Sequence, residues 1–214
     1  MNDGMKRLMG YEGSKTIHDM GGIVLESAGI ILWFLLLYGK VINLMFAVTA
    51  LISLLILNCS ARDWQLNIST YISMSITRKS TFAVIVIRGV LQVASGLLLE
   101  IIIGGIGYPK YVKREVILGS LFLFLLFHGW GLVCGALTCT HKKTGKVMQV
   151  ISLMIIGGMI GGGSVAALDE HNMLTSMVNL ITIEGVLCFG IAALLIWILG
   201  ICAAYKQSKN FMVS

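Results

Sequence analysis

Apolar residues gather in six long runs: Ile23 to Gly39, Val41 to Cys59, Thr81 to Ile106, Val116 to Cys139, Val147 to Leu168 and Met173 to Tyr205. Each is near or above the ~17 to 25 residues that carry a helix across a hydrocarbon core. They lack the strict alternation of a membrane barrel strand and are too long for one. In lipid only helices and closed barrels satisfy their own backbone, so the pattern predicts an all-α polytopic membrane protein with six transmembrane helices. Residues 1–214 then form a single transmembrane domain, with a cytoplasmic N-terminal segment over 1–22 and an amphipathic cytoplasmic segment over 62–80.

That amphipathic segment breaks the pattern. Trp64, Ile68, Tyr71 and Ile72 recur at i, i+4, i+7 and i+8, with Gln65, Ser69, Thr70 and Ser73 on the opposite side. The spacing predicts a helix with one face for a membrane surface or a partner. Thr77 is placed to cap the third membrane helix, and Arg78 and Lys79 sit at the cytoplasmic headgroups.

Composition narrows the class. Hydrophobic residues make up 57% of the chain and charged residues 12%, about half the charged fraction of ordinary soluble domains. No polar stretch between the runs has room for a soluble catalytic or nucleotide-binding domain. Thr144-Gly145-Lys146-Val147 lacks both the leading glycine and the Ser or Thr that must follow the lysine in a phosphate-binding loop. The chain is not expected to be an enzyme or to bind a cofactor or metal itself. Acidic residues among the basic ones before Ile23 also argue against a cleaved secretory signal, so the first run is taken as a retained helix.

The formal charge of +6 is an orientation signal rather than a nucleic-acid footprint. With the N-terminus in the cytoplasm, six crossings place Lys6, Arg7, Lys15, Arg62, Arg78, Lys79, Lys142, Lys143, Lys146, Lys206 and Lys209 inside. Only Lys40, Lys110, Lys113 and Arg114 fall outside. The bias obeys the positive-inside rule and puts both termini in the cytoplasm. The five cysteines, Cys59, Cys134, Cys139, Cys188 and Cys202, lie in or at the ends of apolar runs, which predicts buried reduced thiols.

Polar residues inside the runs are the candidate functional groups, because the membrane makes them costly. Arg88, Gln92, Ser95 and Gly96 form one stripe on the third run. Glu26 in the first run lies at a depth similar to Arg88; the two either pair or reach the inner headgroups separately. His128 shares a face with Gly131 and Gly135, which predicts a helix interface. By depth its carboxylate partner in a proton-coupled site would be Glu184, with structural hydrogen bonding as the plainer role. The glycines from Gly157 to Gly163 fit either close helix packing at GxxxG spacing or a broken helix followed by an outer interfacial stretch.

The segment YISMSITRKSTF, Tyr71 to Phe82, resembles the motif between the second and third helices of small bacterial type-2 ABC transporter permeases, of the peptide-exporter and immunity type. Ser75 stands where that family usually has glycine. The resemblance implies a permease subunit of an ATP-driven exporter in a bacterial plasma membrane, moving a peptide or other amphipathic substrate. It also implies a second permease chain, identical or related, and two separate ATPase subunits that carry ATP and magnesium. The docking element would comprise Trp64, Ile68, Tyr71, Ile72, Met74 and Thr77, with Arg78 and Lys79 at its exit. The substrate-path or interface candidates are Glu26, Arg88, Gln92, Ser95, His128 and Glu184. Two other classes remain open: a stand-alone membrane immunity or accessory protein, and a proton-coupled secondary transporter.

Overall fold

The computed structural model describes residues 48–61, 78–107, 113–141, 143–152, 154–155 and 182–210, and all regular structure among them is helical. We label the helices α1 (Val48–Ala61), α2 (Arg78–Gly107), α3 (Arg114–Thr140), α4 (143–152) and α5 (Ile183–Asn210). Three of them contain spans long and apolar enough to cross a membrane: Phe82–Gly105, Arg114–Thr140 and Ile183–Gln207. The first apolar run, the amphipathic stretch from Trp64 to Thr77, and the glycine-rich segment from Gly157 to Gly163 lie outside the described residues.

Residue pairings set the helix directions. Thr49 meets Glu100, and Ile52 faces Gly96, so α1 and α2 are antiparallel. Ser120 meets Glu100, Phe124 lies near Gly96 and His128 packs on Gly89, so α3 also opposes α2. Phe122 rests on Gly190 and His128 on Trp197, which makes α5 parallel to α3. Phe82 and Tyr205 stack edge to face at 5.2 Å, closing α2 on α5 in antiparallel sense. Trp130 bonds Ser152, so α4 turns back along α3. Helices α1, α3 and α5 run one way, and α2 and α4 the other.

The packing is inverted relative to a water-soluble protein. Arg88, Gln92, Glu100, Ser120 and His128 are buried, while Ile87, Leu98, Met154, Ile191, Leu195 and Leu199 are exposed. Water would reverse that assignment, whereas a hydrocarbon solvent produces it. Helix α5 is the least covered of the three long helices. A small apolar cluster of Val48, Ile52, Ile56, Val93 and Phe124 joins α1, α2 and α3. The three α1 members follow an i, i+4, i+8 stripe.

Small residues allow the close approach. An added Cβ at Gly129 would strike the backbone of Trp197, and one at Gly200 would strike the backbone of Gly129. On another side of α3, Gly131 meets Leu57 and Ser60 of α1. Lipid tails are as apolar as leucine, so helix association here depends on van der Waals contact rather than on leaving water. Several hydroxyls inside the helices are also satisfied locally. Ser53, Ser60, Thr138 and Ser152 each donate at 2.7 Å to the carbonyl four residues back.

Two boundaries differ from the apolar runs. The described part of α4 opens at residue 143 and includes Thr144, Gly145 and Lys146, close behind His141 at the end of α3. There the His141 amide donates to the Leu137 carbonyl at 2.7 Å, and the Gly145 amide to the His141 carbonyl at 3.0 Å. The run from Met173 to Tyr205 is not one uninterrupted helix, because Thr182 starts α5: its hydroxyl accepts the Gly185 amide at 3.2 Å. Hydropathy missed this start, since a threonine scarcely interrupts an apolar average.

Replacing Gly129 or Gly200 by isoleucine should destabilise the fold by about 1 to 3 kcal/mol through overpacking. Leu195→Ala, on an exposed face, should change it by less than about 0.5 kcal/mol. Thermal unfolding of the detergent-solubilised chain measures both.

Candidate functional site

The buried face of α2 repeats every three to four residues: Ile85, Arg88, Gly89, Gln92, Val93, Gly96, Glu100 and Gly104. It carries small, apolar and polar positions in one stripe, and each polar member meets a different environment. Arg88 and Glu100 are twelve residues apart, about 18 Å along the axis. The stripe therefore builds a layered column rather than one compact site.

At one end, Glu100 is clamped between helices. Its Oε1 accepts hydrogen bonds from Thr49 Oγ1 at 2.6 Å and from Ser120 Oγ at 2.7 Å, joining α1, α2 and α3 at a single atom. The residue is 5% exposed, and Oε2 has no hydrogen-bond partner among the described residues. Immediately below lies the apolar layer, where Gly96 lets Ile52 and Phe124 close on α2.

The next level holds Gln92 and Arg88, each 3% exposed. Both amide atoms of Gln92 lack partners among the described residues. Ser95, the third member of the anticipated stripe, is half-buried, and its hydroxyl bonds the Gln92 carbonyl of its own helix at 2.9 Å. It belongs to the helix backbone more than to the column.

At the far end His128 is 2% exposed, its ring against Gly89 of α2. Trp197 Nε1 donates to His128 Nδ1 at 3.0 Å, so Nδ1 is the acceptor and a neutral ring carries its proton on Nε2. A Cβ at residue 89 would occupy the space of the imidazole, so glycine is the condition for seating it. Two further polar bridges flank the column. Trp130 Nε1 donates to Ser152 Oγ at 2.7 Å, and Gln149 Nε2 to Asn58 Oδ1 at 2.9 Å, fastening α4 to α3 and α1.

Several anticipated residues fall elsewhere. Glu184 is exposed in the first turn of α5, two residues after the cap, where its negative charge complements the helix N-terminus. It is thirteen residues from Trp197, about 20 Å along α5, and the structure does not bring it to His128. Arg78 and Lys79 lie in the first turn of α2, as a cap at Thr77 would place them. Glu26, Trp64, Ile68, Tyr71, Ile72, Met74 and Thr77 are outside the described residues. None of the five cysteines forms a disulfide, and only Cys134 is buried; Cys188 and Cys202 are exposed on the apolar helix α5.

The roles of Thr49, Ser120, Gly89 and Trp197 become visible with the fold. A signal existed for the first: Thr49, Ser53 and Ser60 line one side of the second run at helical spacing. Among the described residues no three His, Cys, Asp or Glu side chains gather as metal ligands. The column can hold helices in register, or bind a small polar species between them. No family model matches the sequence, no curated protein matches it, and no solved structure matches it.

Gly89→Ala should destabilise the wild-type chain and do so much less in a His128→Ala background. We expect a coupling of about 0.5 to 3 kcal/mol in the double-mutant cycle. Equal costs in both backgrounds would show that the two residues are not in contact.

Proposed function

We propose that this chain is the membrane-spanning permease subunit of an ATP-driven ABC exporter in a bacterial plasma membrane. Two permease chains would work with two ATPase subunits, which hold ATP and magnesium, to move a peptide or other amphipathic substrate. The reading rests on the segment Tyr71 to Phe82 and its likeness to the permease motif between the second and third helices. It is supported by α2, which runs from Arg78, next in sequence to the docking stretch Trp64 to Thr77, and holds the candidate membrane span Phe82–Gly105. The alternating helix directions and the inverted packing are what a polytopic permease requires. The six crossings, with both termini cytoplasmic, complete the proposal.

The described packing also constrains how such a permease would work. Arg88 and Gln92 face other helices of the same chain and are buried there. A path along them opens only if the segments packed on that face of α2 part from it. ATP-driven closure of the two ATPases, transmitted through the stretch that enters α2, would supply that movement. The partner subunits need differential affinity for the two arrangements, because equal affinity shifts nothing.

The first test is to isolate the chain in mild detergent from its native cells, identify its partners by mass spectrometry and assay ATP hydrolysis on the eluate. An ABC ATPase should copurify and should be lost on changing Trp64→Asp and Tyr71→Asp. A chain recovered without any hydrolysing partner would remove the exporter reading and favour the immunity or accessory class. If the ATPase does copurify, combining Arg88→Ala, Gln92→Ala and Ser95→Ala should reduce transport. Intact transport would place the path elsewhere.

A further inference from the structure

Glu100 is the one carboxylate among the described residues that is buried between helices. We propose that Glu100, Thr49 and Ser120 form a binding site for a monovalent alkali-metal cation. Three oxygen-bearing side chains from three helices converge: Thr49 Oγ1 at 2.6 Å and Ser120 Oγ at 2.7 Å from the same carboxylate oxygen. These contacts satisfy Oε1 alone. Oε2 is buried and receives no hydrogen bond from the described residues, so half of the carboxylate is without compensation in a low-dielectric setting.

No side-chain cation among the described residues answers that charge. Arg88 is three turns away on the same helix, about 18 Å. Lys113 and Arg114, at the start of α3, are exposed and precede Ser120 by six or seven residues. Helix α1 carries no basic residue. Among the described residues, then, the chain brings its negative charge to the meeting point of α1, α2 and α3 without a positive one.

The donor set selects the ion class. Carboxylate and hydroxyl oxygens are hard ligands suited to alkali and alkaline-earth ions, while thiolate and imidazole, which would favour transition metals, are absent from the clamp. A single carboxylate balances a single positive charge. With Glu100 5% and Ser120 6% exposed, the site is too enclosed for a bulky organic cation. Binding there would tighten α2 against α1 and α3 at the end of the column opposite His128. The proposal stands apart from the exporter reading, since its test uses neither transport nor an ATPase.

The purified full-length chain is heated in sodium, potassium or choline chloride at equal ionic strength, and equilibrium binding of radioactive sodium is measured in parallel. The melting temperature should rise and saturate with the alkali cation relative to choline, with sodium or its competitor potassium occupying one site per chain. Glu100→Gln keeps the side-chain shape without the charge and should melt cooperatively with no dependence on the cation. The double variant Thr49→Val, Ser120→Ala should weaken binding at least tenfold. Coincident wild-type melting curves in all three salts would overturn the proposal, as would an undiminished cation response in Glu100→Gln.

Discussion

A hydrocarbon solvent offers no hydrogen bonds, and the rest of this structure follows from that constraint. Each polar group within the spans must find its partner inside the protein, so polarity is drawn inward and leucine, isoleucine and valine are turned outward. Several serine and threonine hydroxyls fold back on their own helices, while Thr49, Ser120 and the longer polar side chains reach other helices. Glu100, His128, Trp130 and Gln149 each join helices that apolar contact alone would leave free to slide. Register, more than bulk stability, is what these bonds supply.

Glycine complements that role. Where Gly129 and Gly200 bring α3 and α5 nearly backbone to backbone, many weak dispersion contacts replace the hydrophobic drive that lipid removes. Gly89 does something different, making a pocket for a ring whose other side is held by Trp197. The same residue type thus serves in one case to join two helices and in the other to seat one side chain. Between the Glu100 and His128 ends, the apolar cluster around Phe124 separates two polar levels that would otherwise be continuous.

This layering gives α2 a central place. Its inner stripe touches α1 and α3, its first turns reach α5 through Phe82, and Arg78 follows directly in sequence on the stretch proposed above to dock an ATPase. A force applied at that start would act on a helix held by a few directional bonds and a small apolar cluster. Such bonds have two states, made or broken, so they fix α2 in a discrete register rather than a graded one.

Much of the membrane class was legible in the sequence. Hydropathy alone determined that the chain is helical and apolar, and located the spans now seen as α2, α3 and α5, because run length and solvent polarity are local properties. It also singled out Arg88, Gln92 and His128, since any ionisable or amide group in such a run stands out. Their partners were decided by tertiary structure. Glu184 looked like a match for His128 by depth, yet the Thr182 cap leaves it exposed at the start of α5, and Trp197 takes the imidazole instead. Thr49 and Ser120 are seventy-one residues apart and meet on Glu100 only because α1 and α3 run parallel against α2. Periodicity records which side of a helix is polar; which helix faces that side depends on packing between distant segments.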